Sequence, residues 1–230
     1  LSTAEVQLVC QWASDHGVPL VPRGAGSGKS GGCIPTGASV VVDVSGMNHI
    51  LSVNAGDLYA VVQPGVLNET LDHNVRAHGL MYPPDPASRS MSTLGGNIAT
   101  NAGGPRALKY GVTGRYVWGL EAVLSNGEIL RTGRHCLKGV SGYDLTSLFV
   151  GSEGTLGIVT EATLHVVPSP PSVQTAWLAF SSIEEANQGA MAMLQAGVLP
   201  RLLELLDRPA LEAILGKVDV PITSGDGAAL

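Results

Sequence analysis

The spacing of apolar positions at the start of the chain predicts an amphipathic helix. Ser2 to Glu5 has the pattern of a capping box, in which the two side chains bond each other's backbone N–H groups. Apolar residues then recur at helical spacing, namely Val6, Val9, Cys10 and Ala13. Gly17 is placed to end this helix, because glycine readily takes the left-handed conformation found after many helix C-termini.

Short strands separated by glycine and proline turns follow this helix. Val66 to His78 has a helical pattern that Gly79 can close. The stretch "LEAVLSNGEILRTG" predicts a hairpin with Asn126-Gly127 as its two-residue turn. The other predicted strands of this part are "VPLVP" before the first glycine-rich loop, Ser39 to Val44, "AVVQPG", and Leu156 to Val167.

The stretch "PSPPS", residues 168–172, interrupts both helix and strand and is the best domain boundary. Beyond it, "TAWLAF" predicts a strand, and Ser182 to Glu185 is a second capping box that opens a helix to about Ala196. Pro200 to Asp207 predicts a strand or a helix, and Pro209 to Lys217 predicts a helix. The chain therefore divides into an α+β part, residues 1–170, and a small α/β part, residues 174–230.

Composition and charge narrow the class of protein. The 230 residues are 44% hydrophobic and 14% charged, as in a globular protein, and 30 glycines indicate many tight turns. The net charge of −6 disfavours a nucleic-acid partner. No apolar run approaches the length of a membrane span, and no leader peptide is visible. Three widely spaced cysteines suit reduced thiols, so we expect a cytoplasmic protein.

The glycine-rich stretch "RGAGSGKSGG", Arg23 to Gly32, has the composition of a phosphate-binding loop. The Walker pattern requires glycine at the position of Arg23, and a helix must follow Ser30, where Gly31, Gly32 and a proline stand instead. The Rossmann pattern fails as well, because Lys29 occupies the place of its third glycine. Two interpretations remain open: an anion-binding loop that uses backbone N–H groups, or a flexible connection.

Two further stretches share this glycine-rich character. Tyr82 to Gly104 includes Ser92 and Thr93, either of which can cap a short helix over Leu94 to Thr100, with its N-terminal N–H groups facing an anion. Gly151 to Glu161 places three glycines before a strand. Several glycine-lined segments on one chain suggest a large ligand contacted mostly by backbone, and a dinucleotide fits this better than a single phosphate.

Four blocks in this order resemble the FAD-linked oxidases of the vanillyl-alcohol oxidase and p-cresol methylhydroxylase type. The blocks are "PRGAGSG", "PPDP…STLGGNIATNAGG…KYG", "GYDLTSLFVGSEGTLGIVTEATL" and "LLELLD". The branch that they resemble best is that of D-lactate dehydrogenase and the glycolate oxidase flavoprotein subunit, and the resemblance spans residues 4 to 217. It implies an α+β FAD-binding domain of two subdomains over residues 1–170, followed by an incomplete α/β cap domain that starts at residue 174.

The resemblance also assigns roles to the glycine-rich blocks. Pro22 to Gly28 would wrap the pyrophosphate, Asp85 to Thr93 would lie beside the flavin and pyrophosphate, and Glu153 to Val159 would hold the adenosine end. The implied cofactor-binding residues are Pro22, Arg23, Gly24, Ala25, Gly26, Ser27, Gly28, Asp85, Ser92, Thr93, Gly95, Gly96, Asn97, Thr100, Asn101, Gly103, Glu153, Gly157, Ile158 and Val159. Arg23 has two interpretations: it offsets phosphate charge, or it forms a surface salt bridge.

The departures from the family pattern bear on the chemistry. Some relatives attach FAD through a histidine or cysteine in the first two blocks, and neither residue stands in residues 23–32 or 82–111, so we predict non-covalent FAD. The branch also carries a later His-x-Gly-Asp-Gly-Asn motif for metal and substrate. Ser224 to Gly227 imitates part of this motif, but it lacks the histidine and the asparagine and comes too early in the chain. We therefore predict no metal ligands and assign no catalytic residue.

These observations lead to one main hypothesis and two alternatives. The main hypothesis is an FAD-dependent oxidoreductase that oxidises a D-2-hydroxy acid, of the glycolate or D-lactate type, by hydride transfer to flavin. The first alternative is a non-catalytic FAD-binding fragment or subunit that needs a missing cap segment or a partner. The second is a fragment that no longer folds or binds the cofactor. The electron acceptor stays open between oxygen, a quinone, a cytochrome and an iron–sulfur subunit.

Overall fold

The computed structural model describes residues 1–136, 138–214, 217 and 227–230. The helices in these ranges are α1 (Thr3–His16), α2 (Asn68–Arg76), α3 (Leu94–Ala99), α4 (Ala107–Tyr110), a 3₁₀ turn (Thr113–Tyr116), α5 (Leu145–Phe149), α6 (Ile183–Gln195) and α7 (Arg208–Ile214). The strands are β1 (Leu20–Arg23), β2 (Val40–Asp43), β3 (Ile50–Asn54), β4 (Tyr59–Val62), β5 (Leu80–Met81), β6 (Val117–Val123), β7 (Ile129–Gly133), β8 (Ile158–His165), β9 (Val167–Pro168), β10 (Ala179–Phe180), β11 (Leu206–Asp207) and β12 (Ala228–Ala229). This mixture of helices and strands agrees with the predicted α+β class.

Contacts divide the chain into two compact units. The first comprises residues 1–104 and 111–169, and the second comprises residues 105–110 and 170–230. No helix within the described ranges is long and apolar enough to cross a bilayer. The motif-like stretch Ser224 to Gly227 lies largely outside the described residues, which resume at Gly227.

The first helix forms as its sequence predicts. The Ser2 hydroxyl accepts from the Glu5 N–H at 3.4 Å, and the Ser2 N–H donates to Glu5 Oε2 at 2.7 Å, which completes the capping box. Gly17 ends the helix with φ +63°. The buried face of α1 joins a core cluster that includes strands β2, β6 and β8, through Val6, Cys10, Val42, Val44, Met47, Val123 and Ile158.

A five-stranded sheet, ordered β3-β4-β8-β6-β7 and antiparallel throughout, forms the main layer of the first unit. Strand β8 lies at its centre, so Ala162 and Leu164 are almost completely buried. Strands β1 and β2 form a separate parallel pair, with Arg23 opposite Asp43 at the end where the first glycine-rich loop begins. One glycine-rich segment therefore follows the end of β1, and another precedes the start of β8.

The predicted β6–β7 hairpin is confirmed, but its loop is longer than expected. The Leu124 N–H donates to the Glu128 carbonyl at 2.9 Å, and the Gly127 N–H donates to the Leu124 carbonyl at 2.9 Å, which closes a loop of three residues. Gly127 has φ +84°, whereas Asn126 has a negative φ. The two-residue type I′ turn needs positive φ at both residues, so a three-residue loop with a left-handed glycine forms instead.

The second unit contains a small antiparallel sheet ordered β10-β12-β11, with α6 and α7. The predicted strand in "TAWLAF" is reduced to Ala179–Phe180. Ser182 caps α6 as predicted, but the Glu185 carboxylate accepts from the Ser181 N–H and hydroxyl rather than closing the box on Ser182. Only the end of the ambiguous stretch 200–207 is regular, as strand β11.

Candidate functional site: a glycine-lined cleft

The first unit contains a cleft with an empty volume of about 1070 Å³, counting the part that is open to solvent. The cleft is bounded by the loop after β1, the segment around α3, and the turn before β8. Its lining residues are Pro22, Arg23, Gly24, Ala25, Gly26, Ser27, Gly28, Ser30, Gly32, Cys33, Val44, Pro64, Ser88, Ser92, Thr93, Gly95, Gly96, Asn97, Ala99, Thr100, Ala102, Phe149, Ser152, Glu153, Gly154, Gly157, Ile158 and Val159.

Close backbone approaches at glycines bring the three sequence blocks together. A Cβ atom on Gly24 would overlap Thr93 Oγ1, so the first loop lies directly against the residue that caps α3. A Cβ on Gly32 would lie 2.7 Å from Glu153 Oε2. A side chain at Gly24 would displace the Thr93 hydroxyl, and one at Gly32 would displace the end of the Glu153 side chain.

The turn before β8 is held against strand β1 in the same way. A Cβ on Gly154 would lie 2.8 Å from Pro22 Cγ, and Gly154 has φ +79°. A Cβ on Gly157 would lie 2.7 Å from the Val123 carbonyl oxygen. These approaches and those of the first loop leave walls made largely of backbone, which suits contact with a flat or extended ligand.

The first loop has backbone hydrogen-bond donors that are not used within the protein. Within the part of the chain that the structure describes, no backbone N–H from Gly24 to Ser30 donates to another protein atom. Consecutive free N–H groups in a turn-rich loop form a concave site for anionic oxygens. This arrangement is compatible with the anion-binding loop, one of the two interpretations that the sequence left open.

The N-terminus of α3 corrects one expectation from the sequence. Thr93 caps the helix, with its hydroxyl accepting from the Gly96 N–H at 3.4 Å. The N–H groups of Leu94 and Gly95 donate to the Val66 and Pro64 carbonyls, each at 2.8 Å. The helix N-terminus therefore has its donors engaged within the protein, and the prediction that they face an anion is wrong. The glycines of α3 allow neighbouring backbone to approach closely, but they do not supply free N–H donors.

Charged side chains contribute little positive charge to the cleft. Among the lining residues, which the structure describes in full, only Arg23 and Glu153 carry a charge. Arg23 Nη2 lies 2.7 Å from Asp43 Oδ2, so the surface salt bridge is the interpretation that the structure supports. Hydrogen bonds from Ser45 and then from Arg23 lower the pKa of Asp43 to about 2. An anion in this cleft would therefore meet mainly backbone dipoles.

Glu153 joins two walls of the cleft. Its N–H donates to the Ala99 carbonyl at 2.8 Å, which ties the turn before β8 to the end of α3. Its carboxylate lies against the backbone at Gly32 in the first loop. Glu153 has φ +52°, a left-handed conformation that is costly for a non-glycine residue and that often occurs at functional sites.

Ser92 supplies a polar atom without a partner. Its side chain is 3% exposed, and its Oγ has no hydrogen-bond partner among the described residues. Tyr82 Oη and Trp177 Nε1 share this property, but only Ser92 lines the cleft. A buried hydroxyl without a partner costs free energy, and a ligand atom that reached it from the cleft would relieve that cost. Asn97, in contrast, is engaged, because its Oδ1 accepts from Asn68 Nδ2 at 3.1 Å.

Three of the predicted cofactor-binding residues do not line the cleft, namely Asp85, Asn101 and Gly103. Asn101 Oδ1 accepts from the Gly114 N–H at 2.8 Å. The backbone of Asn101, just after α3, is left-handed with φ +48°. A Cβ on Gly104 would overlap the Asp85 carbonyl, so Asp85 packs against the glycine pair rather than into the cleft.

The cleft also includes residues that sequence reasoning missed. Val44, Pro64 and Phe149 are apolar lining residues, and Cys33 and Ser30 extend the first loop. Apolar residues of this kind cannot be told from core residues by their spacing, so no sequence signal marks them. No group of three or more histidine, cysteine, aspartate or glutamate residues within the described ranges is arranged to hold a metal ion.

The fold and the cleft define a class of protein: an α+β domain with a cleft lined by glycine-rich loops, which suits an extended anionic ligand. Residues 1–133 match the family described as FAD binding domain, and the chain belongs to this family. The resemblance to the p-cresol methylhydroxylase type is thereby confirmed, and the family makes FAD the cofactor. The residues that line the cleft fit this cofactor, with free N–H groups, an unpartnered buried hydroxyl and glycine walls.

Named relatives support the branch as well. The chain is 47% identical over 225 residues to "Glycolate oxidase subunit GlcD" of Bacillus subtilis. This alignment covers 97% of this chain and 48% of the relative. It is 39% identical over 223 residues to "D-lactate dehydrogenase" of Anaerostipes hadrus, covering 96% and 47%. A solved structure of alkyldihydroxyacetonephosphate synthase aligns with a TM-score of 0.80 at 27% identity, covering 93% of this chain and 39% of that one. The chain spans about half the length of the curated relatives that it matches.

Proposed function

We propose that this chain binds FAD non-covalently in the glycine-lined cleft and forms the cofactor-binding part of an oxidoreductase of D-2-hydroxy acids. The observation that carries the proposal is the convergence of three glycine-rich blocks on one cleft whose first loop has free N–H groups from Gly24 to Ser30. Relatives named glycolate oxidase subunit and D-lactate dehydrogenase support the substrate class. Glycolate and D-lactate are accordingly the first substrates to test.

The residues of the chain would hold the cofactor in three ways. The N–H groups of the first loop would donate to the pyrophosphate oxygens, and Ser92 would donate to or accept from the same ligand. The backbone of Gly157 to Val159, with Glu153, would contact the adenosine end. The apolar residues Val44 and Phe149 would exclude water from the cleft. When bound, FAD supplies the hydride acceptor for the α-carbon of the substrate.

The proposal extends to the domain organisation. Residues 1–170 would form the FAD-binding domain, and residues 174–230 would begin an α/β cap domain that carries part of the substrate site. Neither a catalytic base nor a metal ligand is assigned to this chain. A partner that accepts electrons, such as an iron–sulfur subunit, is compatible with relatives that are named as subunits.

The experiment that tests this function follows the visible absorption of the purified chain, loaded with FAD and freed of excess, after anaerobic addition of substrate. Loss of the flavin absorbance with glycolate or D-lactate, and not with L-lactate, is the expected result for an enzyme of this class. A retained flavin that no 2-hydroxy acid reduces would contradict catalysis by this chain.

A second candidate function is a non-catalytic FAD-binding module. The observation that favours it is that the chain spans 48% of its relative from Bacillus subtilis, so groups that act on the substrate can lie in sequence that this chain lacks. The two candidates share FAD binding and differ in turnover. Flavin retention without reduction by substrate selects the module, and reduction of the flavin at a rate that sustains turnover selects the enzyme.

A further inference from the structure

A buried pair of asparagines joins helix α2 to the wall of the cleft. Asn68 is 1% exposed and Asn97 is 4% exposed. Asn97 lines the cleft, whereas Asn68 does not. Asn68 Nδ2 donates to the Pro84 carbonyl at 3.2 Å and to Asn97 Oδ1 at 3.1 Å. The Asn68 amide therefore uses both of its hydrogens, one of them on a residue of the cleft wall.

Further hydrogen bonds hold the backbone of both asparagines. The Asn68 N–H donates to the Ser92 carbonyl at 3.0 Å. The Asn97 N–H donates to the Thr93 carbonyl, and the Asn97 carbonyl accepts from the Ala102 N–H, each at 2.9 Å. Because the backbone is held at both residues, the freedom of Asn97 that matters to a ligand is the rotation of its side-chain amide.

The directions of the hydrogen bonds determine which end of the Asn97 amide is held. A carbonyl oxygen only accepts hydrogen bonds, so Asn68 must turn its N–H2 group towards Pro84. The second hydrogen of that group then meets Asn97, which must present its oxygen. A reversed Asn97 amide would set two N–H2 groups against each other and leave a buried donor of Asn68 unpaired, which costs free energy.

The other end of this amide, Asn97 Nδ2, is left for a ligand. It has no hydrogen-bond partner among the described residues. The fully sealed side-chain atoms without a partner in the described part of the chain are Tyr82 Oη, Ser92 Oγ and Trp177 Nε1, so Asn97 Nδ2 keeps some accessible surface. Since Asn97 lines the cleft, its N–H2 group is a donor that a ligand there can reach.

We propose that Asn68 is a positioning residue for the cofactor: it holds the Asn97 amide so that the N–H2 group, and not the carbonyl oxygen, is offered to an acceptor atom of FAD. Asn68 acts through Asn97 and does not contact the ligand itself. The donor of Asn97 adds a side-chain contact to those of the backbone N–H groups in the first loop. The inference rests on the proposed binding of FAD in this cleft, and the tests separate the two.

The first test reverses the polarity of the group that faces the ligand. Asn97→Asp keeps the size of the side chain and an acceptor for Asn68, but it replaces the N–H2 group by an oxygen. In a fluorescence titration of the flavin-free chain with FAD, Asn97→Ala should raise the dissociation constant about 2- to 12-fold, and Asn97→Asp should raise it more. The control Asn74→Asp adds the same charge at an exposed position of α2 outside the cleft and should change nothing. An affinity of Asn97→Asp equal to or above that of Asn97→Ala would overturn the inference.

The second test is a double-mutant cycle on the affinity for FAD. Asn68→Ala should raise the dissociation constant about 2- to 12-fold in the wild type and should leave it unchanged when Asn97 is already replaced by alanine. A merely structural role of Asn68 predicts the same factor in both backgrounds, and that result would overturn the inference while FAD binding stands. Circular dichroism checks the fold of each variant, and if Asn68→Ala does not fold, the comparison of Asn97→Asp with Asn97→Ala decides alone. If the wild type takes up no FAD, the proposed function is wrong and the inference falls with it.

Discussion

Replacing Ser92 by alanine tests whether the cleft is built around a ligand atom. The Ser92 side chain is 3% exposed, and its hydroxyl lacks a partner within the described residues. Leaving such a hydroxyl unpaired costs about 1–3 kcal/mol. We therefore expect Ser92→Ala to raise the free energy of unfolding of the flavin-free chain by about that amount. The melting temperature should rise by about 2–4 °C for each kcal/mol gained.

The same substitution should weaken the binding of FAD. If the hydroxyl pairs with the cofactor, its loss costs about 1–3 kcal/mol of binding free energy, which corresponds to about a 5- to 150-fold increase in the dissociation constant. Urea unfolding of the flavin-free chain and a fluorescence titration with FAD measure the two effects. Ser141→Ala, at an exposed serine that does not line the cleft, is the matched control and should change neither quantity. A less stable flavin-free variant, or unchanged FAD affinity, would refute the reasoning.

Three other substitutions test the walls and the electrostatics of the first unit by chemical denaturation. Gly154→Ala should lower the free energy of unfolding by about 1–3 kcal/mol, because φ is +79° and the new Cβ would lie 2.8 Å from Pro22 Cγ. The control Gly28→Ala, which has open space at its Cβ, should not lower it. Asp43→Asn should lower the free energy of unfolding at neutral pH, and the difference should vanish near pH 2. The pKa of Asp43 is lowered to about 2 in the fold, so its carboxylate stabilises the fold above about pH 4 and ceases to do so as it is protonated. Glu161→Gln should raise stability at neutral pH, because burial and then a neighbouring carboxylate raise the pKa of Glu161, so that its charged form weakens the fold as pH rises; a loss of stability would contradict this.

Local signals in the sequence predicted the elements that depend on neighbouring residues. The capping box at Ser2 and the left-handed Gly17 specify α1, and both are present in the structure. The hairpin was predicted from its two strands, but its loop length was wrong, because the choice between two-residue and three-residue loops depends on the φ of Asn126. The engaged donors at α3 were also missed, since the acceptors at Pro64 and Val66 come from a distant segment.

The assembly of the cleft could not be derived from spacing. Gly24 and Thr93 are far apart in the chain, and nothing local to either residue indicates that they touch. The resemblance to a known family grouped the three blocks, and the structure adds the contacts that hold them together. It also separates Asp85, Asn101 and Gly103 from the lining, although these residues belong to the same block as Ser92.

The measurement that tests the central claim most directly is a titration of the purified, flavin-free chain with FAD, followed by flavin fluorescence, with FMN and riboflavin as comparisons. A cleft that holds the pyrophosphate through the free N–H groups from Gly24 to Ser30 predicts saturable binding of FAD at one site per chain and much weaker binding of FMN and riboflavin, which lack the pyrophosphate and adenosine. Absence of FAD binding by a chain that circular dichroism shows to be folded, or equal affinity for FAD and riboflavin, would contradict the account.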